Sequence, residues 1–254
     1  MKEKLYTIPL NDAINAGDEC PLCYAAREIE HDLLDLVLGS GSSYMESDMR
    51  EKTDVSGFCK DHFQKMFDYG NTLGNAWILK THYMATRQKM QKAFSEYKPG
   101  KVSIKARFSK DNSAYKNSVA AWIAENNSSC YICKEFEDIY DRYLATFFYL
   151  YKNDSEFVTK LKNSKGLCLT HFGDIAERAE TELSPADKAA FFDLMFPLMT
   201  ENMNRLQEDV SWMVEKFDYL NKDADWKNSK DAIQRGMQKL KGGYPADQPY
   251  KQKK

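Results

Sequence analysis

Six cysteines and two of the four histidines of this chain fall into a single repeated pattern. Cys20 and Cys23 lie in CPLC, and Cys130 and Cys133 in CYIC; Cys59 and His62 lie in GFCKDHF, and Cys168 and His171 in GLCLTHF. No thiol is left over. Thiolate and imidazole are the ligand chemistry of zinc, and a two-residue gap lets both side chains of a pair reach one tetrahedral ion. The sequence therefore predicts two Cys3His sets holding two zinc ions per chain. Four protein ligands close each coordination shell, so the expected role is structural, with no catalytic residue and no further cofactor.

Other chemistries of the same residues fit less well. A disulfide framework would explain an even cysteine count but not the histidines that accompany it. Thiol redox chemistry at Cys-x-x-Cys lacks its βαβ context, and covalent haem needs histidine where Tyr24 and Lys134 stand. Iron–sulfur ligation is the open alternative, because three cysteines and one histidine can also hold a cluster.

The paired motifs recur at separations of 110 and 109 residues, and Cys23 to Cys59 is a step of 36 where Cys133 to Cys168 is one of 35. This reads as an internal repeat. The matching steps favour each copy closing on its own ion: Cys20, Cys23, Cys59 and His62 in the first, Cys130, Cys133, Cys168 and His171 in the second. Clipping a loop of that length stabilises a fold by about 4 kcal/mol on a chain-entropy argument. The converse arrangement, in which Cys20 and Cys23 share an ion with Cys168 and His171, would stitch the halves together.

The elements that must position these ligands read as helices. After CPLC, Ile29, Leu33, Leu36 and Val37 recur at helical spacing; after CYIC, so do Phe136, Ile139 or Tyr140, Tyr143, Phe147 and Tyr151. A short second helix is expected before each GxCxxH, whose glycine suits a tight turn and whose cysteine, at a helix start, would gain thiolate stabilisation. From Phe63 the helical pattern continues to residue 98, with Gly70 and Gly74 marking a bend or a close crossing. Ser184, Pro185 and Asp187 form an N-terminal cap for a long helix carrying Pro197. An amphipathic helix ends near Leu240, before a tail, KGGYPADQPYKQKK, that reads as loose. No alternating strand pattern appears, so the fold class is all-α. The expected division is an arm (1–17), a first helical metal-binding repeat (18–97), a basic linker with a short helix (98–127), a second repeat (128–222), and a C-terminal helix with its tail (223–254).

With 254 residues, 43% hydrophobic and 29% charged, the chain can build a substantial core, and a net charge of −2 excludes a global field towards nucleic acid or anionic membrane. The basic stretch 98–116, with Phe108 and Tyr115, is read as a solvated connector. His31 and His82 are assigned no chemistry, TFFYLY is read as core, and Asp223, Asp225 and Trp226 as a helix cap with a docked ring. The N-terminus lacks the apolar run of a signal peptide, which predicts a cytoplasmic protein with reduced thiols and no membrane contact.

The paired CxxC and GxCxxH motifs, with ATFFYLYKNDSEF and FDYLNKDADWKNSKDA, resemble an uncharacterised family of bacterial proteins common in anaerobic Firmicutes. The resemblance runs from Cys20 to Leu240 and implies that the eight ligands are the family's motif positions; it implies no activity. The expected function is thus a metal-binding helical scaffold or regulatory protein, monomeric or homodimeric, with a protein or small-ligand partner. The alternatives are an iron–sulfur or metal-dependent redox enzyme and a metal storage or sensing protein.

Overall fold

The computed structural model describes residues 6–41, 43–99, 115 and 117–252, and among them there is no strand. The α-helices run in the order α1 (Thr7–Asn15), α2 (Pro21–Leu38), α3 (Ser47–Ser56), α4 (Lys60–Tyr69), α5 (Thr72–Glu96), α6 (Ser118–Asn127), α7 (Tyr131–Asn153), α8 (Ser155–Lys162), α9 (Leu169–Glu182), α10 (Pro185–Glu215) and α11 (Ala232–Lys241). No helix of the described residues is long and apolar enough to cross a membrane. Apart from residues 98, 99 and 115, the basic stretch 98–116 lies outside the described residues.

Local chemistry sets the helix ends. Asp154 caps α8 through the amides of Glu156 and Phe157, and the Ser184 hydroxyl accepts from the Asp187 amide at the start of α10, with Pro185 in the first turn. α10 continues through Pro197 to Glu215. The helical pattern read from Phe63 to residue 98, with a bend or a close crossing at Gly70 and Gly74, forms two helices. Gly70 ends α4 in a left-handed conformation (φ 92°), and the Asn71 carboxamide starts α5 by accepting from the Gly74 amide at 2.9 Å. Gly74 then allows a close approach, since a Cβ there would lie 3.0 Å from side-chain atoms of Leu38 and Tyr44. So one glycine makes the break and the other the crossing.

The chain forms two compact units. The first joins Met1–Ile29 to Asp138–Gln248; the second joins Glu30–Glu137 to Pro249–Lys254. In the first, α1 packs on α8, and α11 packs on α9 and α10. Its core holds Leu10, Leu22, Phe147, Phe148, Phe157, Phe191 and Met195, so the TFFYLY segment is core as its spacing indicates. Phe147, Phe148 and Tyr151 pack against Phe191 with ring centroids 5.0–6.4 Å apart. In the second, α3 packs on α5, and Leu34, Val37, Leu38, Met66, Tyr69 and Ile78 are buried.

Three segments differ from their sequence reading. α11 is amphipathic, but it buries its polar face: Arg235, Gln238 and Lys239 point inward, while Ile233, Met237 and Leu240 are exposed. The reason lies far away in the chain, where Asp18 and Glu19 offer carboxylates that the helix satisfies. The tail is also tied down rather than loose. The Tyr250 ring stacks on His31 at 3.8 Å, its hydroxyl donates to Asp35 at 2.6 Å, and the Gln252 amide donates to the Tyr69 carbonyl. Trp226 lies near Phe217 and Lys216 but is exposed, and Asp225 accepts from the Lys227 amide in a turn rather than at a helix start, so the helix cap and docked ring expected of that cluster are not what forms.

Candidate metal centres

Each GxCxxH turn is built alike. Gly57 (φ 61°) and Gly166 (φ 71°) take a conformation that L side chains rarely adopt, and Cys59 and Cys168 follow as N-caps of α4 and α9. Starting a helix at the cysteine places the histidine one turn on, so that both side chains point to the same side. The Cys-x-x-Cys pairs sit at the starts of α2 and α7. There the Cys23 amide donates to the Cys20 carbonyl, and the Lys134 amide to that of Cys130.

The structure brings all eight predicted ligands into two tetrads, but not by self-closure. Cys20 and Cys23 meet Cys168 and His171; Cys59 and His62 meet Cys130 and Cys133. The preference for each copy closing on itself is therefore corrected in favour of exchange. The physical reason is helix length. α2 runs from Pro21 to Leu38, 18 residues or about 27 Å, whereas α3 has only 10 residues, about 15 Å. The returning turn accordingly meets α2 at Glu30 and not at its start. In the second copy α7 is 23 residues long and α8 only 8, and His171 packs against Tyr140, the corresponding position on α7.

Within each tetrad the donor atoms lie at the corners of a small tetrahedron. In the first, His171 Nδ1 is 3.3, 3.4 and 3.3 Å from the sulfurs of Cys20, Cys23 and Cys168, and Cys23 Sγ is 3.7 Å from Cys168 Sγ. In the second, His62 Nδ1 is 3.2, 3.3 and 3.4 Å from Cys59, Cys130 and Cys133, and the Cys59 and Cys133 sulfurs are 3.9 Å apart. Bonds of about 2.3 Å to sulfur and about 2.05 Å to nitrogen generate edges of about 3.8 Å between sulfurs and about 3.6 Å from sulfur to nitrogen. The sulfur–sulfur spacings fit the edges around a single ion, and the sulfur–nitrogen spacings are slightly shorter than those edges. None of the six cysteines is in a disulfide.

Electrostatics within the tetrads points the same way. Burial lifts the Cys20 thiol well above its usual range, while Cys168, hydrogen-bonded by Cys20 and Cys23 and then by His171, is held far below it. In the second tetrad burial works to raise Cys130, but the His62 ring and the Cys133 and Cys59 amides bring it down to about 6; Cys133, partly desolvated and beside the Cys130 and Cys59 sulfurs, is pushed up to about 12. Both imidazoles are raised to about 10, against the pull of burial, by the thiolates they face. Crowding several sulfurs this closely penalises a second thiolate unless a cation lies among them, and a bound divalent ion reverses that penalty.

The surroundings hold residues that sequence reasoning missed. The Glu30 carboxylate is 3.1 Å from His62 Nε2 and is also bonded by Lys65, so it orients the ring with Nδ1 towards the sulfurs. Burial favours its neutral form, yet His62 and Lys65 keep it ionised and lower its pKa. The corresponding Tyr140 donates to Asp174 at 2.9 Å beside the His171 ring. Both residues stand seven places after a Cys-x-x-Cys, the one spacing signal that would have pointed to them. Glu19, 2% exposed, precedes Cys20 and meets Arg205 at 2.5 Å, Arg235 at 3.3 Å and Lys239 at 3.5 Å. Lys239, 1% exposed, also donates to the Glu19 and Lys165 carbonyls, and Gln238 donates to Asp18, which accepts from the Cys20 amide. This network clamps α11 beside the first tetrad, and nothing local in the sequence announced it. His82 lies against Gly57, where a Cβ would stand 2.8 Å from its ring.

A family model described as a family of unknown function, DUF6062, matches residues 1–247, and the chain belongs to that family. Among curated proteins and solved structures nothing matches the chain.

Proposed function

We propose that this member of the family is a zinc-binding helical scaffold that holds two ions per chain, through Cys20, Cys23, Cys168 and His171 and through Cys59, His62, Cys130 and Cys133. The observation that carries the reading is the agreement of both sets of donor separations with one tetrahedral ion. A multi-iron cluster binds its ligands on different metal atoms and spreads them further apart than the edges of a single-ion tetrahedron, whereas all donors in each tetrad lie within 4.8 Å of one another. Four protein donors per ion support a structural rather than a catalytic metal. Each ion joins segments distant in sequence, Cys23 to Cys168 across 145 residues and His62 to Cys130 across 68, so it acts as a clasp between parts of the chain that no local interaction links. Thiols free to bind metal suit a reducing compartment, which supports a cytoplasmic location. The solvent-facing Val214 at the end of α10, with Phe217 and Leu220 in the segment that follows it, supports a role in binding another protein.

Elemental analysis of protein purified with and without oxygen tests this directly. The expected result is two zinc per chain and a colourless solution in both preparations. Iron in near-integral amount with broad visible absorption would overturn it.

A further inference from the structure

Building on that zinc reading, we infer that the two tetrads do different work: Cys59, His62, Cys130 and Cys133 form a metal-exchange site that passes a thiophilic divalent ion to and from thiol-bearing ligands, while the other tetrad keeps its ion. The donor sets are identical, so the difference comes from access. A four-coordinate ion exchanges when an incoming donor reaches it and a thiolate swings out in its place, with the ion changing partners and no electron transferred. That requires sulfur at the surface.

In the second unit Cys59 and Cys133 are both half-exposed residues, and their sulfurs, 3.9 Å apart, form the edge of the tetrahedron that lies between them. Opposite that edge, His62 is buried and braced by Glu30 and Lys65, and Cys130 is 7% exposed. The site therefore has two donors able to leave and two that stay to receive the next ion. In the first unit the three sulfurs are 0%, 2% and 0% exposed, and the accessible donor is the histidine. The backbone leaving α11 covers them: a Cβ on Gly242 would lie 3.5 Å from Cys168 Sγ and 3.8 Å from Cys23 Sγ. Moving that backbone means pulling Lys239 and Arg235 from the Glu19 carboxylate. Release there is coupled to breaking a buried charge network, and release from the second tetrad is not.

The test uses the zinc-loaded full chain, with excess EDTA as competitor, a chromophoric chelator to time release, and pulses of iodoacetamide read cysteine by cysteine by mass spectrometry. The expected result is two phases, one equivalent of zinc leaving at least tenfold faster than the other, with Cys59, Cys130 and Cys133 alkylated in the fast phase and Cys20, Cys23 and Cys168 in the slow one. Cys130 is the informative residue, because it is buried and its labelling reports departure of the ion rather than exposure of the thiol. Two zinc ions leaving in a single phase, or Cys20, Cys23 and Cys168 reacting first, would overturn this proposal and leave the zinc reading intact. A chain purified without zinc, and taking up none, would overturn both.

Discussion

The two tetrads share three cysteines, one histidine and nearly the same edge lengths, yet they are enclosed in opposite ways. Around Cys20, Cys23 and Cys168 the sulfurs are sealed beneath α11, and the charges nearby belong to the buried Glu19, Arg235 and Lys239. Cys59 and Cys133 are half-exposed residues, and the carboxylate of the site, Glu30, is turned to the histidine. Even the corresponding supports are inverted: Glu30 faces Lys65, whereas Tyr140 faces Asp174. One donor set thus sits in two enclosures, one buried and one half-exposed.

The largest effect that can break this comparison is at the sealed tetrad. Cys168→Ser, or stripping of all metal, removes a link across 145 residues, for which chain entropy alone gives about 5 kcal/mol. Thermal unfolding followed by circular dichroism should lose its single cooperative transition, and an unchanged melting temperature in the stripped protein would refute a structural role. Next is the charge network. Glu19→Gln leaves Lys239 and Arg235 without their buried counter-ion and should destabilise the fold by about 3–5 kcal/mol in denaturant titrations, while leaving zinc exchange at Cys59 and Cys133 as it was.

Glu30→Gln sharpens the contrast from the other side. It weakens the brace on His62 and should lower zinc affinity about 10- to 100-fold at that tetrad alone, measured by competition with a chelator of known affinity. Equal weakening at both tetrads would show that Glu30 acts on the whole fold. The smallest effect is expected for Tyr140→Phe, which removes one hydrogen bond to Asp174. A loss of about 0.5–1.5 kcal/mol with both zinc ions retained would mark that contact as packing support for His171 and nothing more.

Much of this architecture is legible from particular residues. Gly57 and Gly166, each followed two places on by a cysteine, announce turns with helices behind them, and Ser184-Pro185 announces the start of α10, because caps and left-handed turns are settled within a few residues. Gly70 and Gly74 were ambiguous because a break and a crossing leave the same mark in a sequence, and only the neighbours Leu38 and Tyr44 tell them apart. The polar face of α11 was misleading for a similar reason. Hydrophobic periodicity locates an inward face when burial is apolar, and here the inward face answers Asp18 and Glu19, more than two hundred residues earlier.

What the sequence determined by itself is the half-site: two thiols at the start of one helix, a thiol and an imidazole at the start of another, and the identity of the donors. These depend on spacings of two or three residues, which backbone geometry turns directly into distances. Which half meets which was decided only by the tertiary structure, because both pairings use the same donors and the same local spacings. α2 and α7 are longer than α3 and α8, and each GxCxxH turn lies beside the middle of its own long helix, at Glu30 or Tyr140, and finds its thiol partners in the other copy.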